Sequence, residues 1–176
     1  MAKKALPIYI RDQETGLLGE STPDKAQLPV ATGDDKTLPP LRVLVADDNE
    51  AERLLTIRQI SKAWPVERQI IVECAADGAE ALEKIRRHQF GLVILDNNMP
   101  HQEGTEVLRA IRAAGLRVPV VVVSAQNREA IAADLKDLAA AFASKHELDL
   151  VNFSSAVLES IYLQARAVSP PGAGPA

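Results

Sequence analysis

Residues 91–124 read GLVILDNNMPHQEGTEVLRAIRAAGLRVPVVVVS. The stretch opens on one short apolar run, GLVIL, and ends on another, VPVVVV, both rich in the branched residues that favour strands. Between them, residues 105–114 space Val107, Leu108 and Ile111 as one apolar helix face requires. Runs that are apolar on both faces are buried on both faces. Two such strands joined through a helix lie parallel, with a right-handed crossover.

Working outward, the same alternation fills residues 41–168. LRVLVA and QIIVECA precede this unit and AAFAS follows it; the last is Ala-rich and the weakest strand on propensity. Helical spacing recurs over 51–63, 79–88, 128–138 and 148–168. The expectation is an α/β fold, (βα)5, a doubly wound parallel sheet covered by helices on both sides. No further internal repeat is present.

A chain of 176 residues suits one domain with tails, and 47% apolar against 25% charged residues is ordinary globular composition. Eight of the eleven prolines fall in 1–40 or 169–176, where no sustained period appears, so these read as a flexible N-terminal extension and a disordered C-terminal tail around a domain at 41–168. A net charge of -4 without an evident basic patch argues against nucleic acid as a partner. No run reaches the roughly 18 apolar residues of a membrane helix, and a lone Cys74 in an apolar run excludes an internal disulfide framework. The expected setting is cytoplasmic, away from membranes. Trp64 and Pro65 read as a hydrophobic plug and stop for the first helix, and His88, His101 and His146, lacking metal-ligand spacing, as surface residues.

Open parallel sheets bind ligands beyond the carboxyl ends of their strands. The first run ends in Asp47 and Asp48, the third in Asp96, the fourth in Ser124 and the fifth in Lys145. In the strand order 2-1-3-4-5, the flavodoxin-like one, the first and third strands are neighbours and three carboxylates converge. Such a cluster is relieved by a hard divalent cation, and magnesium takes oxygen ligands together with phosphate oxygens. An ammonium and a hydroxyl beside it suit a phosphoryl group. Taken singly, Asp47 and Asp48 equally suit helix capping, Asp96 a turn, and Phe142 plain core.

VLVADDN, LVILDNNMPHQEG, VVVSAQ and FASKHE together resemble the four signature segments of response-regulator receiver domains, the CheY-like family of two-component signalling, over residues 41 to about 167. The resemblance implies that Asp96 is the phosphoacceptor. It implies Mg2+ or Mn2+ held directly by Asp48, Asp96 and the Asn98 backbone carbonyl, and by Asp47 through water. Ser124, Lys145 and Phe142 stand at the phosphate-binding and switch positions, and Asn98 and Gln126 at positions that tune dephosphorylation. Met99, Pro100 and Gly104 match the turn after the phosphoacceptor. Two departures stand out. His146 replaces the proline usual after the lysine, implying a looser loop, and DLAAAFAS lacks the usual glycine before the fifth strand, leaving the end of the fourth helix open.

The function so implied is a phosphorelay receiver that takes a phosphoryl group from a histidine kinase or histidine phosphotransfer protein. It is not an enzyme beyond self-phosphorylation from a donor and slow autodephosphorylation. With no DNA-binding output domain expected, it signals by protein contact to an unidentified output partner or a homodimer through the fourth helix, fifth strand and fifth helix. On that last helix the spacing predicts Leu150, Val157 and Ile161 toward the sheet and Val151, Leu158 and Tyr162 on a neighbouring stripe. Alternatives are a receiver-like binding module that is never phosphorylated, and an Asp-nucleophile phosphatase of the haloacid-dehalogenase type. The latter expects a second aspartate where Asn98 stands.

Overall fold

The computed structural model describes residues 8–12, 16–17, 40–63, 69–147 and 149–168; the Trp64–Pro65 stop, the tail at 169–176 and most of 1–40 lie outside them. In chain order the elements are β1 (Ile8–Asp12), β2 (Gly16–Leu17), β3 (Leu41–Ala46), α1 (Glu50–Ala63), β4 (Ile70–Ala75), α2 (Gly78–Arg87) and β5 (Leu92–Asp96). There follow α3 (Gly104–Ala113), β6 (Val120–Ser124), α4 (Arg128–Asp137), β7 (Ala141–Ser144), a 3-10 turn (Lys145–Glu147) and α5 (Leu150–Val168).

The strands form one sheet in the order β2-β1-β4-β3-β5-β6-β7. From β4 to β7 the strands are parallel, and their order is the flavodoxin-like 2-1-3-4-5. The two strands before it were not anticipated. Ile8–Asp12 adds in parallel to β4, with Ile8 opposite Ile70 and Arg11 opposite Glu73, and Gly16–Leu17 turns back antiparallel upon it. These seven residues fall in the stretch read from composition as a flexible extension. Composition misses them because an edge strand needs only a backbone partner with free amides and carbonyls, which β4 supplies.

Two cores sit on the two faces of the sheet, and alternate residues of each strand feed them. Val93, Leu95, Val120 and Val122 pack with Val107, Leu108 and Ile111 of α3 and Ile131 and Leu135 of α4. Leu92, Ile94, Val121 and Val123 pack with Ile57 and Ile60 of α1 and Phe153, Ala156 and Val157 of α5. The Ala-rich fifth run is a strand because its small residues let α5 lie close, with Ala141 and Ala143 in the same core as Phe153.

On α5 the sheet-facing line is Phe153, Ala156, Val157, Ser160 and Gln164, so the predicted line was right at Val157 and wrong at Ile161, which is 43% exposed. The 3.6-residue period carries the buried stripe from Val157 to Ser160 and Gln164, turning Ile161 to the side. The side chain of Leu150 lies outside the description. Val151, Leu158 and Tyr162 are exposed as the spacing predicted.

Two helices end in the same motif. After α3 the Gly115 and Leu116 amides donate to Arg112 and Ile111, with Gly115 at φ 73°; after α4 the Ala139 and Ala140 amides donate to Lys136 and Leu135, with Ala139 at φ 50°. The second therefore closes, without a glycine, on an alanine in the left-handed region. That settles the end of α4 at Asp137.

Candidate functional site

The parallel strands place Asp47, Asp96, Ser124 and Lys145 at one end of the sheet, each just at or beyond a carboxyl end. Asp47 and Asp96 are buried, and Ser124 is fully so. Lys145 opens the 3-10 turn after β7 and reaches back across the sheet end. Its Nζ lies 3.0 Å from Asp96 Oδ2 and 3.2 Å from Asp47 Oδ2, and pairs more closely still with Glu52.

Local bonds fix each carboxylate. Asp47 Oδ1 accepts the Asn49 amide at 2.8 Å, and Asp96 Oδ1 the Asn98 amide at 3.2 Å. Arg53 of α1 donates to the Asp47 carbonyl at 2.6 Å. The turn after Asp96 is held by Asn97, whose carbonyl accepts the Gly104 amide and whose side-chain oxygen accepts that of Thr105, each at 3.2 Å. A Cβ on Gly104 would lie 2.4 Å from the Asp96 carbonyl oxygen, so the start of α3 can close on this turn only through a glycine.

The carboxylates that converge are Asp47, Glu52 and Asp96, whose oxygens lie within 4.8 Å of one another. Asp48 is exposed and stands outside that group. Helix capping does not account for the pair at 47 and 48, because Asn49 Oδ1 takes the cap of α1, accepting from Ala51 at 3.0 Å and Glu52 at 3.4 Å. Glu52 was missed by the sequence reading. It sits inside α1, where a glutamate ordinarily signals a solvated face, and only Lys145, at the far end of the domain sequence, gives it a role.

Burial pushes the Asp47 carboxyl above the ordinary aspartate range; the Asn49 amide opposes this, the Asp96 charge adds to it, and Lys145 offsets part. For Lys145, burial works against the charge, but its bonds to Glu52 and Asp96 and the charges of Asp96 and Asp47 outweigh it and hold the pKa above the usual lysine value. The ammonium is therefore permanent at neutral pH. Three carboxylates against one ammonium leave surplus negative charge, and an all-oxygen donor set of this kind fits a hard divalent cation.

Around the cluster, Ser124 Oγ accepts the Gln126 amide at 3.0 Å, and Gln126 Nε2 lies 3.4 Å from Asn98 Oδ1, so two residues predicted to flank a phosphate touch each other. Phe142 is half-buried against the core beneath α4. His88, His101 and His146 are exposed, as expected. Lys145 to Glu147 form a 3-10 turn with the His146 amide donating to Ser144 Oγ at 3.2 Å, which gives the loop without proline an ordered start.

Residues 43–148 match the family model of the response regulator receiver domain. The protein-glutamate methylesterase/protein-glutamine glutaminase of a Nocardioides species is 36% identical over 103 residues, 58% of this chain and 27% of that protein. Response regulator MprA of a Mycobacterium species is 38% identical over 88 residues, 50% of this chain and 36% of that protein. The chain thus spans well under half the length of these relatives. Among solved structures, the receiver domain of the putative response regulator NarL from Mycobacterium tuberculosis superposes with a TM-score of 0.59 at 30% identity, covering 69% of this chain and 96% of that one. The Thermotoga maritima regulator TrrA, solved with Mg(2+)-BeF, shares the fold at a TM-score of 0.58 and 23% identity, over 68% of this chain and 98% of that one. With its parallel order, its acidic strand ends and this match, the chain belongs to the response regulator receiver family.

Proposed function

We propose that this receiver accepts a phosphoryl group on Asp96 from the phosphohistidine of a histidine kinase or phosphotransfer protein. The observation that carries the reading is the place of Asp96: buried at the end of a central strand, beside Asp47 and 3.0 Å from the Lys145 ammonium. An Asp96 carboxylate oxygen bonds to phosphorus, the phosphorus–nitrogen bond breaks, and the imidazole departs with the electron pair. The product is an acyl phosphate. Such a transfer depends on positioning and electrostatics, which the fixed carboxylates and ammonium provide.

Magnesium or manganese would be held by Asp96 and the Asn98 carbonyl, by Asp47 through water, and by Asp48 once its exposed side chain turns toward the cluster, and would supply neutralisation of the charge gathered at the reacting oxygens. Lys145 then exchanges part of its carboxylate contacts for the phosphoryl oxygens, and the Ser124 hydroxyl turns toward them. Movement at Ser124 opens room for Phe142, which couples the site to the face of α4, β7 and α5. That face signals to a second copy of the chain or to an output partner. Asn98 and Gln126 set access of water to the acyl phosphate.

Acetyl phosphate or phosphoramidate with magnesium is expected to add the mass of one phosphate to the intact protein, and Asp96→Ala to abolish the gain. Retention of the same gain in Asp96→Ala sinks the assignment. Asp48→Ala tests the metal set through lost magnesium affinity. Sedimentation with and without beryllofluoride, repeated on Leu158→Glu, tests the output face.

A further inference from the structure

The amino ends of the strands carry a second polar site, opposite the acidic one. Arg117 lies just before β6, and Leu138 and Ala139 just before β7. With Gln164 and Ala167 of α5 they line a cleft of about 160 Å³. That is close to the volume of an engineered cavity that admits benzene, so it is large enough for a small organic molecule.

Gln164 is 5% exposed, yet neither its Nε2 nor its Oε1 has a hydrogen-bond partner. A buried amide in that state is destabilising unless something in the cleft satisfies it. It offers one acceptor and two donors, so a ligand must present both kinds of group.

The cleft also holds charge. Arg112 spends Nε on the Leu138 carbonyl at 2.8 Å, Nη1 on Leu116 and Val118 at 3.1 and 3.0 Å, and Nη2 on Ala139 at 3.4 Å. All of these partners are neutral carbonyls, and no carboxylate pairs with it among the described residues. Burial and the nearby Arg117 lower its pKa to about 10. Arg117 is exposed, and its Nη1 donates to the Ala167 carbonyl at 3.4 Å. Asp137, the one acidic group on the wall, pairs with neither arginine among the described residues.

We propose that this cleft binds a small organic carboxylate that also carries a hydrogen-bond donor, as in a hydroxy acid or an amino acid. Gln164, whose amide atoms are closed off from solvent, turns its side chain into the cleft on binding, so that the carboxylate faces Arg117 and the amide N–H and the donor group faces Oε1. A planar carboxylate matches the guanidinium fork, and its charge balances the second arginine. An amino acid would set its ammonium toward Asp137, whereas a hydroxy acid would leave Asp137 to water. The bound molecule would tie the ends of α3 and α4 to α5.

The full chain, labelled with nitrogen-15, is titrated with lactate, alanine, acetate and inorganic phosphate while the Gln164 side-chain amide and the Leu138, Ala139 and Ala167 backbone amides are followed by NMR. Lactate or alanine is expected to shift all four saturably at millimolar concentration, with acetate at least about tenfold weaker for want of the donor. Stronger binding of alanine than lactate assigns the donor to the Asp137 side. Gln164→Leu and the surface variant Arg117→Gln should each weaken binding about tenfold or more. The proposal is overturned if no probe saturates, if phosphate or acetate binds as well as lactate and alanine, or if binding survives unchanged in both variants.

Discussion

The ammonium of Lys145 stands 3.0 Å from the carboxylate of Asp96, although the two residues follow strands that β6 separates in the sheet. The lysine spans that gap and touches Asp47 and Glu52 as well, so one cation ties together groups from the ends of β3, β5 and β7 and from α1. Its raised pKa means that its contribution to stability is whole at neutral pH and is lost only above the ordinary lysine range.

Lys145→Met keeps the length of the side chain and removes the charge. The metal-free variant is expected to lose about 2 kcal/mol at neutral pH, because three carboxylates are left facing one another. Magnesium should restore part of the loss and bind several-fold tighter than to the parent. Urea denaturation with chelator and with magnesium reads both effects, and equal midpoints for variant and parent would contradict the role given to the lysine.

Gly104→Ala drives a methyl to 2.4 Å from the Asp96 carbonyl oxygen and 3.0 Å from its carbon. Backbone cannot swing aside as a side chain can, so the turn between β5 and α3 must shift. A loss of about 1–3 kcal/mol is expected, with slower uptake of phosphate from acetyl phosphate because Asp96 moves with the turn. Parent-like stability and uptake would show that the turn has slack.

The parallel core was legible because it is written locally: branched runs and helical spacing recur in order, and alternate residues of GLVIL and VPVVVV do enter opposite cores. Asp47, Asp96, Ser124 and Lys145 were legible because topology alone sends strand ends to one place. Glu52 was not, since its partner is distant in sequence and nothing near it marks a site. The edge strand Ile8–Asp12 was hidden for a related reason, its pairing being through backbone. The exposed Ile161 shows how one step of the helical period decides between core and surface.

Asp47 gives a pH dependence of definite sign. Its carboxyl is raised chiefly by burial, so its contribution to stability is present below the unfolded pKa and lost as pH rises through the folded one. Asp47→Asn is therefore expected to stabilise the metal-free protein at neutral pH, and the advantage should vanish on acidification through the aspartate range. The Asn oxygen can still accept from the Asn49 amide. Denaturation midpoints taken in chelator along a pH series test this, and an advantage that grows on acidification would reverse the sign.

Ala139 and Gly115 occupy the same position in the same helix-ending motif, yet only one of them is a glycine. An L-residue in the left-handed region places Cβ against the following carbonyl at a cost of about 1–2 kcal/mol. The cost is borne here because Arg112 donates to both the Leu138 and Ala139 carbonyls and holds the turn in place. Glycine removes the clash but makes the unfolded chain freer by about 0.4–1 kcal/mol. Ala139→Gly should accordingly stabilise the protein by roughly 0.5–1 kcal/mol, whereas Gly115→Ala, in a position with open space around it, should destabilise it by a similar amount. Urea midpoints for the two single variants and their combination read the result, and the two changes should nearly cancel in the double variant. Destabilisation by Ala139→Gly would show that the alanine methyl contributes more by packing than it loses in strain.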